Sequence, residues 1–241
     1  MRQRAGTHLA EAVRDLEEDA IVAADAIFAV SEQEYVRIAA ESEGVTRLPN
    51  GVDFKHFAQL RDEPADMKEI PYPRVIYVGA MEYWFDPDLL ARTARDHPDT
   101  SFVIIGPTRI PLGELDSLQN VHLLGPRPYE DVPAYLQHAD AAIIPFMRDD
   151  MVDAIHPIKV YEYLAAGLPV LATRWTELEH MDAPVTLTDR DGFSAALSDI
   201  LAEKAHPREA RLRYARENSW DARFDTVLET LRPYLGNETR R

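Results

Sequence analysis

From residue 71 onward the sequence alternates short apolar runs with longer amphipathic segments, and this alternation constrains the fold more than any other feature. The short runs are rich in β-branched residues, and the segments between them carry apolar residues at helical spacing. The strand candidates are Arg74–Gly79, Ser101–Gly106, Val121–Gly125, Ala141–Phe146, Val170–Thr173 and Val185–Leu187. The helix candidates are Pro87–Asp96, Tyr129–His138, Pro157–Ala166 and Gly192–Lys204. Because strands that are apolar throughout are buried on both faces, the pattern predicts an α/β fold in which helices cover both faces of a parallel sheet.

Capping residues mark the ends of several helix candidates. Asp86 followed by Pro87 predicts a helix that the aspartate caps, and His156 followed by Pro157 has a similar form. Gly167 then predicts the end of the helix that begins near Pro157.

The first 70 or so residues do not share the alternation. A charged amphipathic helix over about His8–Asp25 leads into a short strand, Ala26–Val30, after which Ser31 is placed to cap a second helix. Asn50-Gly51 is a turn signal, and Arg61–Tyr72 is polar and contains prolines, which is typical of a linker. One strand and two helices cannot enclose a core, so we expect this region to be the end of a domain that begins elsewhere.

Charge and composition argue against several classes of function. The 241-residue chain has a formal net charge of −16, which opposes binding to nucleic acid, and it has no cysteine for disulfides, thiolate metal sites or nucleophiles. No apolar run approaches the roughly 20 residues that span a bilayer, and the N-terminal segment lacks the apolar stretch of a secretory signal. We therefore expect a cytoplasmic protein without nucleic-acid partners, and peripheral membrane contact stays open.

The residues that follow the predicted strands mark where a ligand would bind, because ligands of open parallel sheets bind beyond the carboxyl ends of the strands. Small and basic residues recur at these points and suit the approach of an anion to the backbone. They are Gly79-Ala80-Met81, Gly106-Pro107-Thr108-Arg109, Gly125-Pro126-Arg127 and Phe146-Met147-Arg148. Glycines that only turn the chain and arginines that only favour solubility would explain the same residues. The G-x-G-x-x-G fingerprint of NAD enzymes and the P-loop pattern are both absent from the sequence.

The stretch from His156 to Val170 is the most informative part of the sequence. If Pro157 begins a helix, Lys159 lies in its first turn, where free N–H groups and the positive end of the helix dipole attract anions. Glu162 lies on the same face about 5 Å further along, where a carboxylate can accept both hydroxyls of a ribose. The same spacing fits an ordinary exposed ion pair between Lys159 and Glu162, and spacing alone does not decide between these readings.

Several segments, in this order along the chain, resemble the C-terminal half of GT-B glycosyltransferases that use nucleotide sugars. Lys159–Val170 resembles the donor-site helix of that family, and Asn50-Gly51-Val52-Asp53 with Phe57 resembles its N-G-V-D-x-x-x-F interdomain element. The other matching segments are Ala24–Ser31, Val78-Gly79, Val121–Gly125 with Tyr135 and Ala139-Asp140, and Asn218-Ser219-Trp220. The resemblance extends over roughly residues 20–235 and implies a Rossmann-like GT-B donor domain plus a remnant of the N-terminal domain.

The resemblance also implies domain boundaries. Residues 1–48 would be the remnant of the acceptor-binding domain and residues 49–72 an interdomain linker. Residues 73–219 would be the nucleotide-sugar-binding domain, and residues 220–241 the closing C-terminal helix.

The donor-binding residues are likewise implied by the resemblance. Lys159 would bind the diphosphate and Glu162 the ribose, while Gly79 would let the phosphate approach the backbone. Arg127 would border the base. His156 would lie beside the phosphate, although a histidine that only caps the helix fits the sequence as well. No metal ligand is assigned, because the family implies metal-independent stabilisation of the leaving group. No catalytic residue is assigned either, because in this family the N-terminal domain often supplies the catalytic base, and the resemblance covers little of that domain.

Two positions depart from the pattern of many relatives. Those relatives carry E-x7-E, but Ala154 stands eight residues before Glu162, with Asp153 next to it. The basic residue that many of them place after the first strand is missing, since Ala80-Met81-Glu82 follows Gly79. The pattern is closer to capsule- and exopolysaccharide-type enzymes, and the donor sugar and the stereochemical outcome stay open.

The resemblance implies transfer of a sugar from a UDP- or GDP-linked donor, as substrate, to a hydroxyl acceptor in polysaccharide or glycoconjugate biosynthesis. No cofactor is expected, and a lipid-linked sugar is one option for the acceptor. A non-catalytic module would instead bind the donor without turnover, and a UDP-sugar epimerase of the same architecture would interconvert UDP-sugars without an acceptor. Trp84 and Phe85 fit packing under the following helix better than a cover over the donor site.

Overall fold

The structure, a computed structural model, describes residues 2–202 and 207–235 and divides into two compact units. The first unit contains the chain up to Pro49 together with the chain from Arg223 onward, and the second runs from Asn50 to Ala222. Of the segment 49–72, which the resemblance assigns to an interdomain linker, Pro49 lies in the first unit and the rest in the second.

The first unit contains two helices and a two-stranded parallel sheet before Pro49. They are α1 (Arg2–Ala23), β1 (Ile27–Ala29), α2 (Glu32–Ala39) and β2 (Val45–Arg47). Ser31 caps α2 as predicted, because its Oγ accepts a hydrogen bond from the Glu34 N–H at 3.2 Å. Strand β2 is not predicted from the sequence, because three residues are too few to show an alternating pattern.

The first unit buries little apolar surface. Among the residues whose burial is described, its buried apolar side chains are Ala29 and Ile38, whereas Val13, Leu16 and Val22 are more than half exposed. This agrees with the expectation that so few elements do not enclose a core.

The second unit is built on a six-stranded parallel sheet flanked by helices, which confirms the predicted α/β fold. Its strands are β3 (Arg74–Val78), β4 (Ser101–Ile105), β5 (Val121–Leu123), β6 (Ala141–Ile144), β7 (Val170–Thr173) and β8 (Thr186–Thr188). Their spatial order is β5-β4-β3-β6-β7-β8, and all neighbours are parallel. Each strand candidate is present, and the last one lies one residue later than predicted.

Helices and two short 3₁₀ turns precede, connect and follow these strands along the chain, and the last helix continues past Ala222 into the first unit. The helices are α3 (Phe54–Ala58), α4 (Pro87–Asp96), α5 (Val132–Gln137), α6 (Asp150–Asp153), α7 (Ile158–Ala165), α8 (Thr176–His180), α9 (Phe193–Leu201), α10 (Arg208–Glu217) and α11 (Trp220–Leu235). Asp86 caps α4 as predicted, since its Oδ1 accepts a hydrogen bond from the Leu89 N–H at 2.9 Å. Lys204, the predicted end of the α9 segment, lies outside the described residues. Within residues 2–202 and 207–235, no helix combines the length and apolar character that crossing a membrane requires.

The central strands of the sheet form the core of the second unit. Ile76 and Tyr77 are adjacent in β3, point to opposite faces and are both fully buried. Ile104 and Ile143 in the neighbouring strands are equally buried. Each such side chain stabilises the fold by about 1.5–3 kcal/mol, which explains why the strands are apolar throughout.

The strand order creates a switch point between β3 and β6. From β3 the chain adds β4 and β5 on one side, and it then returns to add β6, β7 and β8 on the other. Connections on the two sides of such a point leave opposite faces, so a crevice opens at the carboxyl ends of β3 and β6. Gly79 and Phe146, which follow these two strands, flank that crevice.

Residues 61–72, the linker candidate, pack within the second unit. Met67 and Ile70 are buried, and buried Arg74 donates hydrogen bonds to their carbonyl oxygens at 2.6 and 2.8 Å. Arg74 also forms an ion pair with Glu63 at 2.6 Å. One arginine in β3 thus supplies hydrogen bonds that a polar segment needs in order to lie flat on the sheet.

The Asn50-Gly51-Val52-Asp53 segment pairs with the segment that precedes α11. The Val52 N–H donates to the Asn218 carbonyl at 3.2 Å, and the Trp220 N–H donates to the Val52 carbonyl at 3.0 Å. Two segments on which the family resemblance rests, far apart in sequence, therefore meet in the structure.

We expect Arg74→Met to lower the free energy of unfolding by about 3 kcal/mol or more, because several carbonyl oxygens and Glu63 lose their donor. Urea denaturation measures this. The matched control is Arg95→Met, which removes an exposed ion pair with Glu114 and should cost less than about 1 kcal/mol. Equal losses in both variants would contradict the role given to Arg74.

Candidate functional site

A cleft of about 440 Å³ opens at the switch point. Its walls come from the ends of β3 and β6, the segment before α5 and the start of α7. The lining residues are Val78, Gly79, Trp84, Tyr129, Val132, Phe146, Ile155, His156, Pro157, Ile158, Lys159 and Glu162. This volume lies within the range of small-molecule sites, and the lining is mostly apolar with a few polar groups.

Lys159 projects into the cleft from the first turn of α7. Its Nζ lies 4.7 Å from the centroid of the Phe146 ring and 4.8 Å from that of Tyr77. It also donates a long hydrogen bond of 3.4 Å to the Tyr77 Oη. The two rings stand at the two strands of the switch point, so the ammonium is held directly above it.

The ammonium of Lys159 has no counter-ion in the described part of the chain. No carboxylate oxygen there lies within 4.0 Å of Nζ, so the alternative of an exposed ion pair with Glu162 is not formed. Burial lowers the pKa of Lys159 from 10.5 to about 8, while Glu162 opposes this shift. At neutral pH the cleft therefore contains an unpaired cation beside the free N–H groups of a helix N-terminus, which together attract an anion.

Glu162 lies one turn deeper in the same cleft. Burial raises the pKa of its carboxyl, and the nearby charge of Lys159 partly opposes this shift. Its carboxylate accepts no hydrogen bond from the residues described. It is therefore free to accept hydrogen bonds from a ligand's hydroxyl groups, and the structure brings Lys159, Glu162 and Gly79 together as the sequence predicts.

Because Gly79 has no side chain, the ammonium of Lys159 can lie next to its backbone. A Cβ on residue 79 would lie 2.8 Å from Lys159 Nζ, and the φ of +153° disfavours any residue with a side chain. The sequence assigns Gly79 to the approach of a phosphate, and the structure shows that it already admits the lysine.

Aromatic side chains form much of the cleft wall and are the part that the sequence did not reveal. Tyr129 stacks on His56 with ring centroids 4.9 Å apart and an interplanar angle of 14°. It precedes α5, which begins at Val132 and not at Tyr129 as predicted. Phe85 is fully buried in the core as expected, but Trp84 lines the cleft.

The side chain of His156 is turned into the protein. Its Nδ1 lies 2.8 Å from Glu177 Oε1 and its Nε2 lies 2.7 Å from the Tyr161 hydroxyl. Pro157 is the N-cap of α7 and has no side-chain cap hydrogen bond, so the expectation that His156 caps this helix is wrong. Both ring nitrogens contact protein groups, and this arrangement does not favour the predicted contact with a donor.

The arginines that follow the predicted strands do not gather at the cleft. Arg127, Arg109 and Arg148 each bind a carboxylate, at 2.7, 3.2 and 3.1 Å, and none of the three lines the cleft. The partner of Arg127 is Asp66, and its Nε also donates to the Tyr135 hydroxyl at 2.8 Å. The structure therefore does not favour the predicted contact between Arg127 and a base.

Asp153 does not replace the first glutamate of the E-x7-E pattern in the cleft. Its Oδ1 accepts a hydrogen bond from the Thr176 N–H at 2.9 Å, and its carboxylate pairs with Arg148. Ala154, at the position of that glutamate, carries no polar group. Among the described residues, no group of three histidine, aspartate or glutamate side chains could hold a metal ion.

Comparison with known sequences identifies relatives of this chain. The family model described as "Glycosyl transferases group 1" matches residues 72–203. A Bacillus subtilis (strain 168) protein, TuaH, whose name marks it as a candidate teichuronic acid biosynthesis glycosyltransferase, is 27% identical over 207 residues. That match covers 80% of this chain and 52% of TuaH, so the chain spans about half the length of this relative.

Solved structures of glycosyltransferases share the fold. Sucrose-phosphate synthase from Thermosynechococcus elongatus superposes with a TM-score of 0.71 at 19% identity, covering 91% of this chain and 61% of that one. Anabaena Alr3699/HepE in complex with UDP gives a TM-score of 0.68 at 16% identity, covering 87% of this chain and 64% of that one. At these identities the likeness shows a GT-B fold.

We expect Lys159→Met to raise the free energy of unfolding at pH 7 by roughly 1–2 kcal/mol, because the folded wild type desolvates a charge. The pKa of this lysine is about 8 in the folded protein against 10.5 ordinarily, so the folded state releases its proton first as pH rises. The stability of the wild type should therefore rise towards that of the variant between these pH values. Urea titrations at several pH values measure the difference, and Lys55→Met, at an exposed lysine, is the control.

We expect Gly79→Ala to push Lys159 Nζ towards solvent, which would return the pKa of the lysine towards 10.5. NMR titration of the lysine ε-methylene measures this shift. Gly125→Ala is the control, because residue 125 has a φ of +70° but a Cβ there would meet no atom within 4 Å. Both variants should lose about 1–2 kcal/mol of stability through backbone strain. If the pKa of Lys159 stays near 8 in Gly79→Ala, the steric role of Gly79 is wrong.

Proposed function

Because the chain belongs to the family of group 1 glycosyl transferases, we propose that its cleft binds a nucleoside diphosphate sugar and that the enzyme transfers the sugar to an acceptor hydroxyl. The observation that carries this proposal is the unpaired ammonium of Lys159 at the N-terminus of α7, with Glu162 one turn deeper in the same cleft. A nucleoside diphosphate presents the matching groups in the same order, an anion followed by the vicinal hydroxyls of a ribose.

In this reaction the acceptor oxygen bonds to the anomeric carbon while the bond from that carbon to the β-phosphate oxygen breaks. The nucleoside diphosphate departs with the electron pair, and the acceptor proton passes to a base to which we assign no residue. Negative charge grows on the diphosphate as the bond breaks. Lys159 and the free N–H groups of α7 therefore stabilise the transition state more than the bound substrate.

Glu162 would fix the nucleoside by accepting hydrogen bonds from both ribose hydroxyls. This role needs an ionised carboxylate, and the positive charge of Lys159 favours that form against the effect of burial. A hydrogen bond to a charged group contributes about 1.5–3 kcal/mol, so loss of the carboxylate should be measurable in affinity.

UDP is the nucleotide that we propose to test first, with GDP as the alternative. Anabaena Alr3699/HepE, which shares the fold, has been solved in complex with UDP and with UDP-glucose. In this chain the ring of Tyr129 and the side chain of Val132 offer an apolar wall to the base.

The acceptor and the pathway are part of the proposal, since the chain covers 52% of TuaH. The name of that relative refers to teichuronic acid biosynthesis, which supports a role in polysaccharide or glycoconjugate biosynthesis. We propose a hydroxyl of a growing glycan as the acceptor, with a lipid-linked sugar as one form.

We expect Lys159→Ala to weaken UDP binding about 10- to 100-fold, because the diphosphate loses a charged partner. Uridine, which has no phosphate, should bind the wild type and Lys159→Ala with equal affinity. Glu162→Gln should weaken UDP by a similar factor but leave the affinity for 2′,3′-dideoxy-UDP unchanged, since that analogue has no hydroxyls to donate. Isothermal titration calorimetry at pH 7 measures the affinity of Lys159→Ala for UDP and uridine and that of Glu162→Gln for UDP and 2′,3′-dideoxy-UDP, each against the wild type.

The control substitutions are Lys55→Ala and Glu179→Gln, which alter exposed ion pairs outside the cleft and should bind UDP as the wild type does. If neither UDP nor GDP binds the wild type, or if UDP affinity survives Lys159→Ala, the proposed function is wrong.

A further inference from the structure

A buried polar group stands directly behind the cleft, where the segment before α7 meets α8. The imidazole of His156 contacts Glu177 at 2.8 Å on one side and the hydroxyl of Tyr161 at 2.7 Å on the other. The side chains of His156 and Glu177 are 2% and 1% exposed. Their side chains are almost closed off from solvent, so the cost of burying these polar groups calls for a role inside the protein.

The backbone of the same segment is held as firmly as the imidazole. The carbonyl of His156 accepts a hydrogen bond from Asn50 Nδ2 at 3.0 Å, and the carbonyl of Ile155 accepts one from the indole of buried Trp175 at 2.9 Å. Trp175 is the N-cap residue of α8, and Glu177 lies in the first turn of that helix. Four side chains thus fix the two residues that immediately precede Pro157.

We propose that His156, Glu177 and Tyr161 are positioning residues that set the N-terminus of α7 and thereby the places of Lys159 and Glu162. This inference rests on the proposed function, because it concerns the donor site described above. It replaces the expectation that His156 contacts the donor.

The buried group can act on the ligand site because only a few residues of the chain separate them. Lys159 follows His156 by three residues, and Tyr161 lies on α7 between Lys159 and Glu162. A hydrogen bond from α7 to the segment before it, secured by a carboxylate on α8, stops that helix from sliding or turning over the sheet. Misplacement of a binding group by about 1 Å can cost up to 100-fold in function, so a small shift should be visible in affinity.

The test compares two tyrosine hydroxyls of the same region that contact different groups. Tyr161→Phe removes the bond to His156, whereas Tyr214→Phe removes a bond of 2.7 Å to the Met181 carbonyl. The two rings stack on each other with centroids 5.9 Å apart, so the variants change the same region. Urea midpoints should fall by similar amounts in both. UDP affinity, measured by calorimetry at a temperature where both are fully folded, should fall about three- to tenfold in Tyr161→Phe alone.

Glu177→Gln provides a second, independent variant that keeps the size of the side chain and removes its charge. It should weaken UDP binding as Tyr161→Phe does, and it serves the same comparison with Tyr214→Phe if Tyr161→Phe does not fold. Equal UDP affinities in these variants and in Tyr214→Phe would overturn the positioning role. Failure of the proposed function is a different result, because then the wild type does not bind a nucleoside diphosphate or Lys159→Ala does not weaken it.

Discussion

The site depends on a positive charge that the fold itself leaves without a counter-ion. Lys159 stands over the rings of Tyr77 and Phe146, where burial lowers the pKa of its ammonium to about 8. The dipole of α7 also opposes a cation at this end of the helix. Both unfavourable effects weaken when an anion enters the cleft. The unliganded fold is therefore less stable than it could be, and the difference is available as binding free energy.

Close packing of the surrounding strands and helix fixes the position of Lys159. A Cβ on Gly106 would clash with the Gly79 carbonyl oxygen, so the backbones at the ends of β3 and β4 approach each other closely. The hydroxyl of Tyr163, on α7, accepts a hydrogen bond from the Val78 N–H at 2.8 Å and donates one to the Val78 carbonyl at 3.1 Å. The helix that carries Lys159 is thus tied to the strand that ends at the cleft. A site built on regular elements in this way is held in place before a ligand arrives.

The arginines at the same edge of the sheet, unlike Lys159, form ion pairs with carboxylates, and the composition of the chain explains why. The chain has 42 acidic and 26 basic residues, so an exposed arginine readily finds a carboxylate within reach. Arg127 and Arg148 do so with Asp66 and Asp153. Lys159 differs because α7 buries it among aromatic side chains, where the described residues offer it no carboxylate. A basic residue after the carboxyl end of a strand is therefore a weaker sign of a ligand site than a basic residue that the fold keeps away from carboxylates.

The sequence by itself determined the parallel sheet, the capping of α4 and the helix that carries Lys159 and Glu162. These features depend on periodicity and on contacts within a few residues, which a linear pattern records. Only the tertiary structure decided which side chains share the cleft. Arg127 turned to a partner 61 residues away and His156 to one 21 residues away, while the aromatic wall was assembled from separate loops. Spacing along the chain carries no information about such contacts, because packing between distant elements selects them.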